Sequence, residues 1–272
     1  MSFSNSAEAL ARLENVKCFV LDMDGTFYLD TEIIPGSLEF YHGMLNSGRR
    51  ILFLTNNSSH DAEHYVERLR NMGVPVEPDM IYTSGMATAQ YLNRAYPGAK
   101  VYLMGNEFLV REFERYGINM VEDDPDVVVT GFDTTLTYEK LVKTCDFIRA
   151  GLPYIATHPD YNCPTRTGFI PDLGAFMALI EASTGRKADY IVGKPYEEIV
   201  RGMLEKTGLT REELCICGDR LYTDIATGVN AGILSVCVLT GESSAEDVEN
   251  SSVKPDILVE RLYSINGLLG LE

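Results

Sequence analysis

The chain has 272 residues, 45% of them hydrophobic and 23% charged. That balance belongs to a globular protein and excludes collagen-like, low-complexity and disordered classes. Forty acidic side chains against 23 basic ones leave a formal net charge of −17, which repels nucleic acid and anionic lipid. Apolar runs alternate with amphipathic stretches from residue 16 onward. Residues 16–21 and 50–54 read as short buried strands. A helix is predicted over 60–72, with Gly73 as its stop. Residues 100–104 read as a strand, 107–116 as a helix ending at Gly117. Then come a strand at 126–130, a helix at 138–150 ending at Gly151, and a strand at 153–157. Residues 173–183 put Leu173, Phe176, Met177 and Ile180 on one helical face and stop before Gly185. A strand at 190–192, a helix at 196–206, and strands at 214–217 and 234–239 complete the series. Strand–helix alternation of this kind predicts a mainly parallel α/β sheet.

No apolar run approaches the roughly 18 residues of a membrane span, and the N-terminal stretch lacks a long apolar signal region. The six cysteines form no C-x-x-C pair. Cys18, Cys215, Cys217 and Cys237 lie inside apolar runs, so they are expected as buried, reduced thiols of a cytoplasmic protein. His60 and His64 share a polar helical face and are expected to be solvated.

Four polar clusters each follow an apolar run. The first is Asp22-Met23-Asp24-Gly25-Thr26. Two carboxylates at the end of a buried strand are costly unless something holds them, and a divalent cation would. The second is Thr55-Asn56-Asn57-Ser58, the third Gly193-Lys194-Pro195, the fourth Gly218-Asp219 with Asp224. Thr55 alone would serve as a helix N-cap, and Lys194 alone as a surface lysine. Together they are more telling, because the strand C-termini of a parallel sheet share one edge, where ligands bind. That edge would gather Asp22, Asp24, Thr55, Lys194, Asp219 and Asp224. Hard oxygen ligands suit Mg²⁺. A lysine and a hydroxyl beside the metal suit a phosphoryl group, with Asn56 and loop N–H groups, Met23 among them, as further donors. One carboxylate can attack phosphorus, and a second can move the proton. Other phosphate-binding schemes are missing: no G-x-G-x-x-G follows the first strand, and Gly193-Lys194 lacks the Walker A glycine and hydroxyl.

These clusters, in this order, resemble the haloacid dehalogenase-like superfamily in its phosphatase branch. The D-x-D-G-T motif stands intact at Asp22 to Thr26. The resemblance implies Asp22 as nucleophile, Asp24 as general acid/base, and Thr55 and Lys194 as holders of the transferred phosphoryl group. It maps the Mg²⁺ ligands to the Asp22 carboxylate, the Asp24 backbone carbonyl and Asp219, with Asp224 in support. The stretch from Thr55 to Lys194 far exceeds one crossover helix and has room for an inserted domain. The expected division is a discontinuous Rossmann-like core, 1–83 and 185–272, with a smaller α/β cap of the C2 type at 84–184. Further local matches point to the NagD-like and p-nitrophenyl phosphatase subgroup. Its members act on small phosphorylated metabolites such as nucleoside monophosphates and sugar phosphates. The segment Thr157 to Asn162 resembles the subgroup's substrate loop, which makes His158, Asp160 and Asn162 candidate specificity residues. A phosphotransferase or mutase using the same site, a phospho-ligand sensor without turnover, and self-association through the cap all stay open at this point.

Overall fold

The computed structural model describes residues 5–165 and 167–271. They form two compact units. The first takes the chain up to Leu54, then Val66–Tyr82 and the chain from Val200 onward; the second takes Thr55–Tyr65 and Thr83–Ile199.

The first unit is built on a six-stranded sheet. In spatial order its strands are Ile257–Val259, Leu234–Val238, Leu214–Gly218, Cys18–Leu21, Arg50–Thr55 and Ile81–Thr83. Cys18–Leu21 lies between two parallel neighbours, with Leu21 opposite Cys217 on one side and Phe53 on the other. All four of its residues are buried, as are all five of Leu214–Gly218 and Leu234–Val238. Strands covered on both faces read as unbroken apolar runs, which is how they showed in the sequence. Phe27, Tyr41 and Phe53 pack edge-on or stacked at one side of this sheet, and Phe19 meets Phe40 at 5.4 Å. Cys18, Cys215, Cys217 and Cys237 are buried within it, with the Cys215 and Cys217 sulfurs 3.8 Å apart. Burial pushes the Cys18 thiol up to about 11 and the Cys237 thiol to about 12.

The second unit has its own parallel sheet, ordered Tyr190–Ile191, Tyr154–Ala156, Val127–Thr130, Lys100–Met104 and Asn119–Met120. Tyr102, Met104, Val128, Cys145, Ile148, Tyr154 and Ile180 form its core beneath the helices Tyr138–Arg149 and Leu173–Thr184. An antiparallel hairpin joins Asn162–Thr165 to Gly168–Pro171. The strand Tyr190–Ile191 pairs with Tyr154–Ala156, so residues 185–199 lie in this unit. The sequence-based division places them with the core, because the apolar run before Lys194 carries no mark of which sheet it joins; it likewise assigns 55–65 and Thr83 to the core, whereas they belong to the second unit. His60 and His64, expected to be solvated, are half-buried; their rings stack at 3.9 Å and meet Phe108 edge-on. No helix among the described residues is long and apolar enough to cross a membrane.

Glu112, on the helix Glu107–Arg115, is buried and accepts a hydrogen bond from Thr83 Oγ1 at 2.8 Å. Gly85 makes room for it: a Cβ there would fall 2.0 Å from Glu112 Oε2. Burial pushes this carboxyl up to about 8, with Asp61 adding to the rise and Thr83 and Arg115 opposing it. The folded protein therefore holds a proton that the unfolded chain releases near 4.5. Between those values stability falls as pH rises, at about 1.4 kcal/mol per pH unit, and it levels off above the folded value. Glu112→Gln removes this slope. Urea midpoints at pH 5 and pH 8 check it: an equal drop in wild type and variant would refute the assignment.

Candidate active site

In the first unit the site begins where Cys18–Leu21 ends. Asp22 N–H donates to Cys217 O at 2.9 Å, tying the turn to the neighbouring strand. The Met23 carbonyl then accepts the N–H groups of Thr26, Phe27 and Tyr28, closing a tight loop. Gly25 sits at φ +84, and a Cβ on it would fall 2.6 Å from Asp219 Oδ2. Only glycine meets both conditions without strain.

Asp219 follows Leu214–Gly218, the strand beside Cys18–Leu21. Its carboxylate accepts from Thr26 Oγ1 at 3.1 Å and from the Glu242 N–H at 2.7 Å. Asp224 lies in a π-type turn, Leu221–Ile225, and caps its own turn by accepting from Arg220 N–H at 3.1 Å. The wider turn brings Asp224 back toward the strand end: a Cβ on Gly218 would fall 2.2 Å from Asp224 Cβ. Carboxylate oxygens of Asp22, Asp219 and Asp224 all lie within 4.8 Å of one another. The parallel-sheet argument thus brings together three of the four predicted metal-site residues. Asp24, the fourth, was assigned through its backbone carbonyl; its side chain stands apart, 3.9 Å from Arg68 Nη2.

The electrostatics follow from burial. Asp219 is pushed up to about 6, first by desolvation and then by the charge of Asp224, against the pull of Glu242 N–H, Arg220 and Thr26. The Asp24 carboxyl is raised by its burial, with Arg68 and then Arg220 working the other way. Arg220 is a site residue that no motif announced. Its Nε lies 3.0 Å from Glu242 Oε2, and its guanidinium is held charged, against its burial, by the negative charges of Asp22, Asp219 and Asp224. One guanidinium does not balance three clustered carboxylates. The donor set is all hard oxygen, in a cradle kept open by Gly25 and Gly241, which fits a divalent cation.

Thr55 is the last residue of Arg50–Thr55 and the first of the second unit, and it accepts the Asn57 N–H at 3.1 Å; Asn56, Asp160, Gly193 and Lys194 belong to that unit too. Lys194 and Asn56 are buried and bound together. Asn56 Oδ1 accepts the Lys194 N–H at 2.7 Å, and Asn56 Nδ2 donates to Lys194 O and to both carboxylate oxygens of Asp160. The expected role of Asn56 as a phosphate donor is corrected here, because its amide hydrogens are already engaged. It works as a bracket between Lys194 and Asp160. Gly193 is required beside it, since a Cβ would fall 2.6 Å from Asn56 Oδ1.

His158 also departs from expectation. It is fully buried, so it offers no surface to a leaving group. Its Nε2 lies 2.9 Å from Asp172 Oδ1 and its Nδ1 2.9 Å from Thr157 Oγ1. Burial alone would lower its pKa; the charge and hydrogen bond of Asp172, with Asp160 adding, reverse this and raise it. A raised value means that the pair's stabilisation is complete below about 6.5 and is lost as pH rises through the folded pKa. His158→Leu strands a buried Asp172 charge and should cost roughly 3–5 kcal/mol at pH 6, with a smaller deficit at higher pH. Denaturant titrations at several pH values test this; a deficit that grows with pH would refute it. Of the three candidate specificity residues, Asp160 is buried on Asn56, and only Asn162 is exposed.

A haloacid dehalogenase-like hydrolase family model matches residues 19–119, and a second, HAD-hydrolase-like, matches 191–265. A 4-nitrophenylphosphatase structure from Thermotoga maritima is 48% identical, covering 95% of this chain and 99% of that one, with a TM-score of 0.92. NagD from E. coli K-12 is 35% identical over 91% of this chain and 97% of its own, with a TM-score of 0.85. An acid sugar phosphatase of Staphylococcus aureus is 37% identical over 89% of this chain and 94% of its own. The strand-end carboxylates, the two family matches and these relatives agree: the chain belongs to the haloacid dehalogenase-like superfamily, as a phosphatase of its NagD-like group.

Proposed function

We propose that the protein is a Mg²⁺-dependent phosphatase of small phosphate monoesters, working through an aspartyl-phosphate on Asp22. The observation that carries this reading is the trio Asp22, Asp219 and Asp224, with carboxylate oxygens within 4.8 Å of one another. Those residues, with the Asp24 carbonyl, would hold the cation, which supplies charge neutralisation for the phosphoryl group when bound. Asp22 attacks phosphorus and the ester oxygen departs. Asp24, its carboxyl raised by burial, protonates that oxygen; it then takes the proton of a water that attacks phosphorus, the bond to Asp22 breaks, and inorganic phosphate leaves with the Asp22 carboxylate restored. Thr55 and the Lys194 ammonium hold the phosphoryl oxygens, with the Met23 loop amide as a further donor. Choice of substrate is assigned to residues 84–184, the inserted cap. The names of the relatives, a 4-nitrophenylphosphatase and an acid sugar phosphatase, support small esters, with sugar phosphates foremost.

The test is inorganic phosphate release from a panel of sugar phosphates, nucleoside monophosphates and p-nitrophenyl phosphate, with Mg²⁺ and with EDTA. Mg²⁺-dependent release supports the reading, and the order of rates names the substrate group. Release that requires a second alcohol as acceptor would replace it with a transferase. Binding of esters without release would replace it with a sensor.

A further inference from the structure

Arg68 stands on the helix Ala62–Asn71, within the part that belongs to the first unit. Its guanidinium reaches three points of the segment that follows Asp22. It lies over the buried Tyr28 ring, 4.7 Å from the centroid. Its Nη2 donates to the Asp30 carbonyl at 2.5 Å and stands 3.9 Å from Asp24 Oδ1. Tyr28–Leu29 and Glu32–Ile33 form a small antiparallel hairpin, and Asp30, at φ 55, is part of its turn. The hairpin is fastened to the aspartate loop, because Gly25 N–H donates to Tyr28 O at 2.8 Å. Arg68 therefore holds the hairpin by a ring face and a turn carbonyl, and presents a fixed positive charge to Asp24.

As a stabilising ion pair this contact is worth little: it is long and partly exposed. Its value lies in direction. A guanidinium already anchored at Tyr28 and Asp30 loses little further freedom in meeting a carboxylate, and it favours the one rotamer of Asp24 that faces it. We infer that Arg68 is a positioning residue, which sets the Asp24 carboxyl in the orientation from which it meets the leaving oxygen. The inference rests on the acid role assigned to Asp24 in the proposed function.

The consequence depends on the leaving group. A p-nitrophenolate ion is weakly basic and departs without a proton. The alkoxide of glycerol phosphate is strongly basic and needs one. A misplaced Asp24 therefore penalises the alkyl ester and spares the aryl ester. A general weakening of the fold penalises both alike.

The experiment compares kcat/KM for p-nitrophenyl phosphate and glycerol phosphate, at saturating Mg²⁺, in wild type, Arg68→Met, Arg68→Lys and Asp24→Asn. The ratio kcat/KM reports the first step, in which the ester bond breaks. Asp24→Asn is expected to lower the alkyl ester far more than the aryl ester. Arg68→Met is expected to repeat that pattern, with a loss on the order of 10- to 100-fold on glycerol phosphate and about threefold or less on p-nitrophenyl phosphate. Arg68→Lys should recover part of the alkyl rate. If Arg68→Met does not fold, Arg68→Gln, which keeps a donor for the Asp30 carbonyl, enters the same assay with the same expectation. Equal losses on the two esters, or none, in a folded Arg68 variant beside a selective Asp24→Asn overturn the inference and leave the proposed function standing. A non-selective Asp24→Asn overturns the acid role itself, and the inference with it.

Discussion

Asp22→Asn is expected to reduce kcat by on the order of 10⁴-fold or more, the scale seen when a nucleophile is removed from a covalent mechanism. The reason is local. Asp22 follows a buried strand, its backbone is held by the N–H bond to Cys217 O, and its carboxylate lies at the strand end beside those of Asp219 and Asp224. The two carboxylates beside it are engaged elsewhere: Asp219 accepts from Thr26 and the Glu242 N–H, and Asp224 from the Arg220 N–H. An amide at position 22 is nearly isosteric and leaves the fold intact, so the unfolding midpoint should not fall. At saturating Mg²⁺ substrate binding should survive as well, while the Mg²⁺ requirement rises, because Asp22 is also one of the three clustered carboxylates. Acid-quenched wild type, digested and examined by mass spectrometry during turnover, should carry phosphate on the peptide containing Asp22; the variant should carry none. A variant that keeps a tenth or more of the wild-type rate would remove Asp22 from the role.

Removal of the metal is the second large effect. EDTA should abolish phosphate release, and added Mg²⁺ should restore it. Asp224→Asn gives the finer test. It keeps an oxygen for the Arg220 N–H and deletes one of three neighbouring charges. Half-saturation by Mg²⁺ should rise about 10- to 100-fold, with part of kcat recovered at high metal. Stability should move the other way. Without metal, wild type confines three carboxylates within 4.8 Å of one another, and the variant confines two. In EDTA the variant should therefore unfold at a higher temperature than wild type. Mg²⁺ should then raise the wild-type midpoint more than the variant's, since a ligand stabilises the state that binds it. An apo variant less stable than apo wild type would contradict this account of the site.

What could be read from the chain divides along physical lines. The central strands were legible because both of their faces are covered, which leaves unbroken apolar runs such as Cys18–Leu21 and Leu234–Val238. Several helix ends were legible because a glycine in the left-handed region follows them: Gly73 at φ +85, Gly117 at φ +67 and Gly185 at φ +73. The acidic trio was legible because parallel strands deliver their C-termini to one edge. The helices Ser37–Asn46 and Ser84–Ala95 were not, the first hidden behind Pro35-Gly36 and the second rich in small residues with a weak apolar stripe. Nor were the contacts of Arg68 and Arg220, because a cation's partner on another element leaves no periodic trace. His158 shows the same limit. Next to Pro159 it reads as a turn residue, and its burial is decided by Asp172, which is also the N-cap of Leu173–Thr184.

The thiols at the heart of the first sheet have a consequence of their own. A thiolate, not a thiol, reacts with alkylating and oxidising reagents, and burial holds Cys18 and Cys237 at about 11 and 12, with Cys215 raised well above its usual value. In the closed sheet these sulfurs are chemically silent. They answer a reagent only when the strands part, so their rate of modification is a clock set by opening of the sheet. The protein thus carries, in the central strands of its first sheet, a built-in record of how often that sheet comes apart.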